Sequence, residues 1–189
     1  MKNLSITIII VIVFLGGVFF FSLSDKSTTP ENSTNNDTSA RQEKSAFSVF
    51  ADISLEDYEG ASISLGAFEG KPLVINSWAV WCPFCREELP AFSQLQKEFG
   101  DELIVIAIDR QESREKAQGY TDGLGITDDM LFLLDARDSF YKRLGGFSMP
   151  ETIFVNSEGE IVVHKRGPMN LAEMREHTQK IITSHNDAQ

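Results

Sequence analysis

Val74-Ile75-Asn76-Ser77-Trp78-Ala79-Val80-Trp81-Cys82-Pro83-Phe84-Cys85-Arg86-Glu87-Glu88-Leu89-Pro90 decides how the rest of the chain is read. Its apolar start predicts a buried strand, Trp81 falls in a short turn, and a helix is expected to open at the first cysteine. Cys82 and Cys85 are the only cysteines in the chain. In the first turn of a helix, Cys82 meets unpaired backbone N–H groups and the positive end of the helix dipole. Both favour the thiolate, which is the nucleophile of disulfide exchange. Cys85 lies one turn further on, within reach of a mixed disulfide formed on Cys82. Pro83 suits the first helical turn because its missing N–H has no intrahelical partner there.

Other uses of such a pair fit less well. A structural zinc site needs about four ligands, and no second cysteine pair exists. His164, His177 and His185 lack ligand spacing to one another, so no metal and no cofactor are expected. As a structural staple, a disulfide closing so short a loop removes little entropy from the unfolded chain.

Trp78-Ala79-Val80-Trp81-Cys82-Pro83-Phe84-Cys85 resembles the W-A-x-W-C-x-x-C signature of thioredoxin-fold proteins. Pro90 stands where that family has a proline in the helix, and Met149-Pro150-Glu151-Thr152 resembles the segment that carries its cis-proline. The likeness extends over most of residues 46–184. Within the superfamily the chain is most similar to the membrane-anchored, extracytoplasmic TlpA/ResA-like thiol–disulfide oxidoreductases.

The resemblance implies a thioredoxin-like α/β fold, with a mixed central sheet flanked by helices and an N-terminal β-hairpin extension. It implies that Cys82 attacks, that Cys85 resolves, and that the pair cycles between dithiol and disulfide. Trp81, Pro83, Phe84, Met149, Pro150 and Glu151 become the substrate-binding residues. The backbone before the cis-proline pairs with the substrate, and Glu151 helps line an acidic groove. Phe84 can serve as an apolar platform or simply pack.

Proton handling departs from plain thioredoxins, which place an aspartate where this chain has Asn76. An amide cannot accept that proton. Glu88, three residues after Cys85 on the same helical face, can, and TlpA/ResA-like proteins carry a glutamate at the matching place. Glu88 therefore joins Cys82 and Cys85 as a catalytic candidate.

Around this centre the periodicity predicts an alternating order of strands and helices. Phe47–Phe50 and Ala61–Leu65 alternate about an acidic turn ending at Gly60, which suggests a hairpin. Leu89, Phe92, Leu95 and Phe99 form one helical face, ended by Gly100. Leu103–Ile108 is an apolar strand of the kind a parallel sheet buries. A polar helix over 112–121, a short strand over 130–134 and a brief helix over 139–144 follow. Strands at 152–155 and 161–164 flank the turn Asn156-Ser157-Glu158-Gly159, and an amphipathic helix over 171–182 closes the domain.

Residues 4–23 carry no charge. As a helix they would span about 30 Å, the hydrocarbon thickness of a bilayer, and no cysteine follows to take a lipid. The expectation is a membrane anchor over residues 1–23, with a cleaved signal peptide as the alternative. Residues 24–45, rich in Ser, Thr and Asn, read as a disordered tether, and 185–189 as a tail. The single Lys2 before the span points the domain outward. That places it on the outer face of a cell membrane in a single-pass chain, or secreted or periplasmic if the segment is cleaved.

The net charge of −11 lies entirely in residues 46–189, which hold 13 Lys/Arg against 24 Asp/Glu. Such a balance argues against nucleic acid. The partners implied are a disulfide-bearing extracytoplasmic protein and an upstream membrane thiol donor. Two other classes remain as alternatives. A thiol peroxidase-like redoxin uses Thr-x-x-Cys, where this chain has Ala79. A copper-binding metallochaperone spaces its cysteines by three residues and adds a histidine.

Overall fold

In a computed structural model, residues 46–183 are described. The expected anchor (1–23), tether (24–45) and tail (185–189) lie outside them. Among the described residues, no helix is long and apolar enough to cross a membrane.

The apolar run forms a strand over Leu73–Trp78, buried along its whole length. It is the third strand, β3, of a seven-stranded sheet. The others are β1 (Ser54–Asp57), β2 (Ser62–Ser64), β4 (Ile104–Arg110), β5 (Leu131–Asp135), β6 (Glu151–Val155) and β7 (Ile161–Arg166). Their spatial order is β2-β1-β5-β4-β3-β6-β7. β3, β4 and β5 run parallel, while β6, β7, β1 and β2 pair antiparallel. The parallel strands sit inside the sheet with helices over them, as their continuous apolar sequences require.

Alternate residues of each strand feed two cores. Val74 and Trp78 of β3 face one core with helices α1 (Pro83–Phe99), α2 (Arg114–Leu124) and α4 (Leu171–Thr183). Leu73 and Ile75 face the other, with α3 (Ser139–Leu144) and the short 3-10 turns Phe47–Phe50 and Leu65–Phe68. On α1, Cys85, Leu89, Phe92 and Leu95 are fully buried, and Phe99 packs half-buried at the edge of the same core. Each large apolar side chain so placed contributes about 1.5–3 kcal/mol relative to leaving it exposed. Gly100 caps α1 through its N–H to the Gln96 carbonyl, and Met174, Thr178 and Ile181 form the buried face of α4.

The N-terminal hairpin has its second strand, Ser62–Ser64, within the expected Ala61–Leu65, but its first strand is not the one the alternation suggests. Phe47–Phe50 is a 3-10 turn, in which Phe47 and Phe50 fall three apart and both enter the core. Their rings pack on each other, and that of Phe50 packs on Phe140 of α3. The first strand of the hairpin is Ser54–Asp57, which lies within the acidic segment expected to turn. Asp57 makes that turn itself, its Oδ1 accepting from the N–H groups of Glu59 and Ala61. The helix expected from 112 begins at Arg114, because Ser113 caps it and leaves Glu112 free for another contact.

Candidate active site

β3 ends at Trp78, and the chain turns through Ala79-Val80-Trp81 before α1 begins. Cys82 is the N-cap of α1, and its Sγ accepts the N–H of Cys85 at 3.2 Å. The two sulfurs form a disulfide, with S–S 2.16 Å and Cα–Cα 5.3 Å. The helix thus offers an N–H of its first turn, that of Cys85, to the sulfur that would carry charge on reduction. In the disulfide form Cys82 is only 2% exposed, scarcely more than Cys85 at 0%. Its Sγ is turned into α1, bonded to one cysteine and capped by the amide of the same residue.

The residues beside it are open. Trp81 and Phe84 are each more than half exposed, and Pro83 is exposed as well. The second loop of the site comes from register, since Ser77 at the end of β3 pairs with Glu151 at the start of β6. The segment before β6 therefore arrives at the edge of the sheet where the cysteines lie. In it the Met149–Pro150 peptide bond is cis, and Met149 packs against the core that contains both cysteines. Tyr141 Oη donates to the Ser148 carbonyl, and Gly167 N–H to that of Pro150.

Glu88 is buried on α1 at 2% exposure. Its Oε1 accepts from Asn76 Nδ2 at 2.8 Å, and its Oε2 from the N–H of Met169 at 3.2 Å. Burial pushes its carboxyl up to about 8, against the opposing pull of those two donors. Near neutral pH it is therefore poised to exchange a proton.

Glu151 lies elsewhere than a groove wall. It is fully buried on the opposite face of the sheet from Asn76, its Oε1 bonded to His164 Nε2 at 2.8 Å and to Arg166 Nε at 3.3 Å. Its Oε2 is buried without a hydrogen-bond partner, so neither oxygen reaches a groove.

Three further features were missed by sequence reasoning. Phe147, between Gly146 and the cis bond, is 74% exposed. The Arg166 guanidinium lies 4.7 Å from its ring centre. Gly145, at φ +119°, leaves the ring room, for a Cβ there would stand 2.9 Å from it. A large aromatic next to Met-Pro was a legible signal. Glu112 is the second feature. Its carboxylate takes the N–H of Val80 in the turn before Cys82 and pairs with Lys116. Buried Asp109, whose carboxyl is pushed up to about 8 by burial and then by Glu112, lies beside it. The third, Met169, acts through its backbone, which no residue type announces.

A cysteine pair joined at a helix N-terminus, a cis-proline loop arriving at the same edge of the sheet and a buried carboxyl on the same helix define a thioredoxin-like redox protein. The chain belongs to the Redoxin family, which it matches over residues 42–181. It is 31% identical over 128 residues to the thioredoxin-like protein YneN of Bacillus subtilis, covering 66% of this chain and 74% of that one. It is 34% identical over 115 residues to the thiol-disulfide oxidoreductase ResA of Halalkalibacterium halodurans, covering 60% and 64%. With the thiol:disulfide interchange protein DsbE of Vibrio cholerae it shares 26% over 170 residues, covering 89% and 87%. Its fold is also that of a secreted Mycobacterium tuberculosis disulfide oxidoreductase, at TM-score 0.63 and 21% identity, over 70% of this chain and 98% of that one. The protein is a thiol–disulfide oxidoreductase, with Cys82 and Cys85 as its redox pair.

Proposed function

We propose that this domain reduces disulfides of partner proteins outside the cytoplasm, held near a membrane by residues 4–23. In this reading Cys82 is the nucleophile, Cys85 the resolving thiol and Glu88 the proton acceptor. The observation that carries it is the Cys85 N–H on Cys82 Sγ at the start of α1. The same contact would stabilise a thiolate on Cys82 and on no other residue of the chain.

The Cys82 thiolate attacks a partner disulfide, forming a mixed disulfide and expelling one partner thiolate. Cys85 gives its proton to Glu88 and attacks Cys82 Sγ, which releases the second partner thiolate. Two electrons pass to the partner, whose two thiolates take one proton handed on from Glu88 and one from water, equal to the proton Cys82 lost on ionising, and this chain is left with the disulfide seen here. A thiol donor must then reduce it again, and a membrane protein beside the anchor would serve. Trp81, Pro83 and Phe84 on one side, with Met149 and Pro150 on the other, would border the partner chain. Glu151 would act from beneath the cis-proline loop by holding Arg166. The names of the ResA and DsbE relatives support disulfide exchange as the reaction, and Glu88, buried on the helix that carries the resolving thiol, supports proton transfer in either direction of it. The reductive direction is taken from the TlpA/ResA-like resemblance.

A redox titration against glutathione or dithiothreitol tests the direction. A potential near the roughly −270 mV of thioredoxin is expected, whereas one near −120 mV, the range of a strong oxidant, would reverse it.

A further inference from the structure

β3 is an apolar strand with an amide near its centre. Asn76 is fully buried, and its Nδ2 donates to Glu88 Oε1 of α1 at 2.8 Å and to Thr152 Oγ1 of β6 at 3.0 Å. The other end of the same amide, Oδ1, is buried without a hydrogen-bond partner. An unmade bond on a buried acceptor is costly, and a valine would fit the strand without it.

The orientation suits an ionised Glu88, since both contacts of Nδ2 are donations. A protonated Glu88 needs the reverse, an acceptor at the same spot. A half-turn of the amide exchanges Nδ2 for Oδ1 there, and Thr152, whose hydroxyl both donates and accepts, serves either orientation. We propose that Asn76 is a positioning residue for the dithiol reaction, an amide that aims the Glu88 carboxyl and turns over when that carboxyl takes up a proton. The inference rests on the reading of Glu88 as proton acceptor. The Cys85 S–H bond breaks with its electron pair left on sulfur. An O–H bond forms on Glu88, and that O–H donates to Asn76 Oδ1. When the proton passes on to a departing thiolate or to water, the amide returns.

The ionisable groups bearing on Glu88 are Lys165 of β7 and Glu173 of α4. Lys165 and Glu173 pair at 2.6 Å and act on Glu88 in opposite directions. Direct donation to the carboxylate comes from Asn76 and from the N–H of Met169.

The test uses the full-length reduced protein in detergent, with the Glu88 carboxyl carbon and the Asn76 side-chain amide followed by NMR across pH. The two signals are expected to titrate with one midpoint. Asn76→Ala, which removes a donor to the charged form, should raise the Glu88 midpoint by about one pH unit. Disulfide reduction at pH 7 should then slow by about tenfold and recover about one unit higher in pH. Thr152→Val, which frees the amide without removing it, should move the midpoint the same way by less. An amide signal indifferent to Glu88 would overturn the proposal. So would an Asn76→Ala rate profile superimposable on the wild type with only the Tm lowered, the signature of a packing residue. If Glu88→Gln reduces disulfides at the wild-type rate while Asn76→Ala still moves the Glu88 midpoint, the acceptor reading itself fails and takes the role of Asn76 in the reaction with it.

Discussion

Glu88 shows what burial does to one carboxyl. Its ordinary value is near 4.5, and in the folded protein it is pushed up to about 8. Between those values the unfolded chain has lost the proton and the folded chain still holds it. Stability therefore falls as pH rises through that window, by about 1.4 kcal/mol per unit for each such group. Asp109 behaves alike. The carboxyls held low by surface ion pairs, such as Asp129 beside Lys97, act in the opposite sense and only at more acid pH. Urea midpoints of the oxidised protein should fall from pH 5 to pH 8, and Glu88→Gln should flatten the fall. An unflattened slope would mean that Glu88 is ionised throughout. The same variant should slow disulfide exchange at neutral pH by at least about tenfold, a cautious bound for a placed proton acceptor. Glu87→Gln, on the exposed side of the helix, should change neither property.

At the scale of elements, α1 separates the roles of its two cysteines. Cys82 is the N-cap and Cys85 lies inside the first turn, so only one sulfur receives a helix N–H. The neighbouring loop reaches the site because β6 pairs with β3 along its length. Trapping should be asymmetric as a result. Cys85→Ser should accumulate mixed disulfides with partner proteins, and Cys82→Ser should give few. Non-reducing gels of the two variants make the comparison, and equal trapping would contradict the assignment.

At the scale of the whole molecule, the acidic charge sits in the domain and the uncharged residues lie at the N-terminus. An acidic domain is repelled by an anionic bilayer, so an apolar segment would be needed to hold it there. Membrane fractions should contain the full-length chain beginning at or near Met1, as read by N-terminal sequencing. A soluble product starting near Asp25 would instead show that the segment is removed.

The sequence by itself determined the class of the fold, the redox pair and the buried strand. These are local matters, set by the spacing of two cysteines, the run Leu73–Ser77 and the period of α1. It also singled out Glu88, because Asn76 in place of an acid left the proton without an acceptor nearby. Tertiary structure alone decided which groups hold Glu88. The Met169 N–H and Thr152 reach the site from parts of the chain more than sixty residues away. It decided that Phe47–Phe50 turns rather than extends, because two aromatic rings three residues apart can enter one core only in that way. It also turned Glu151 inward, to His164 and Arg166 on β7, a pairing set by the register of two strands and by no residue on its own.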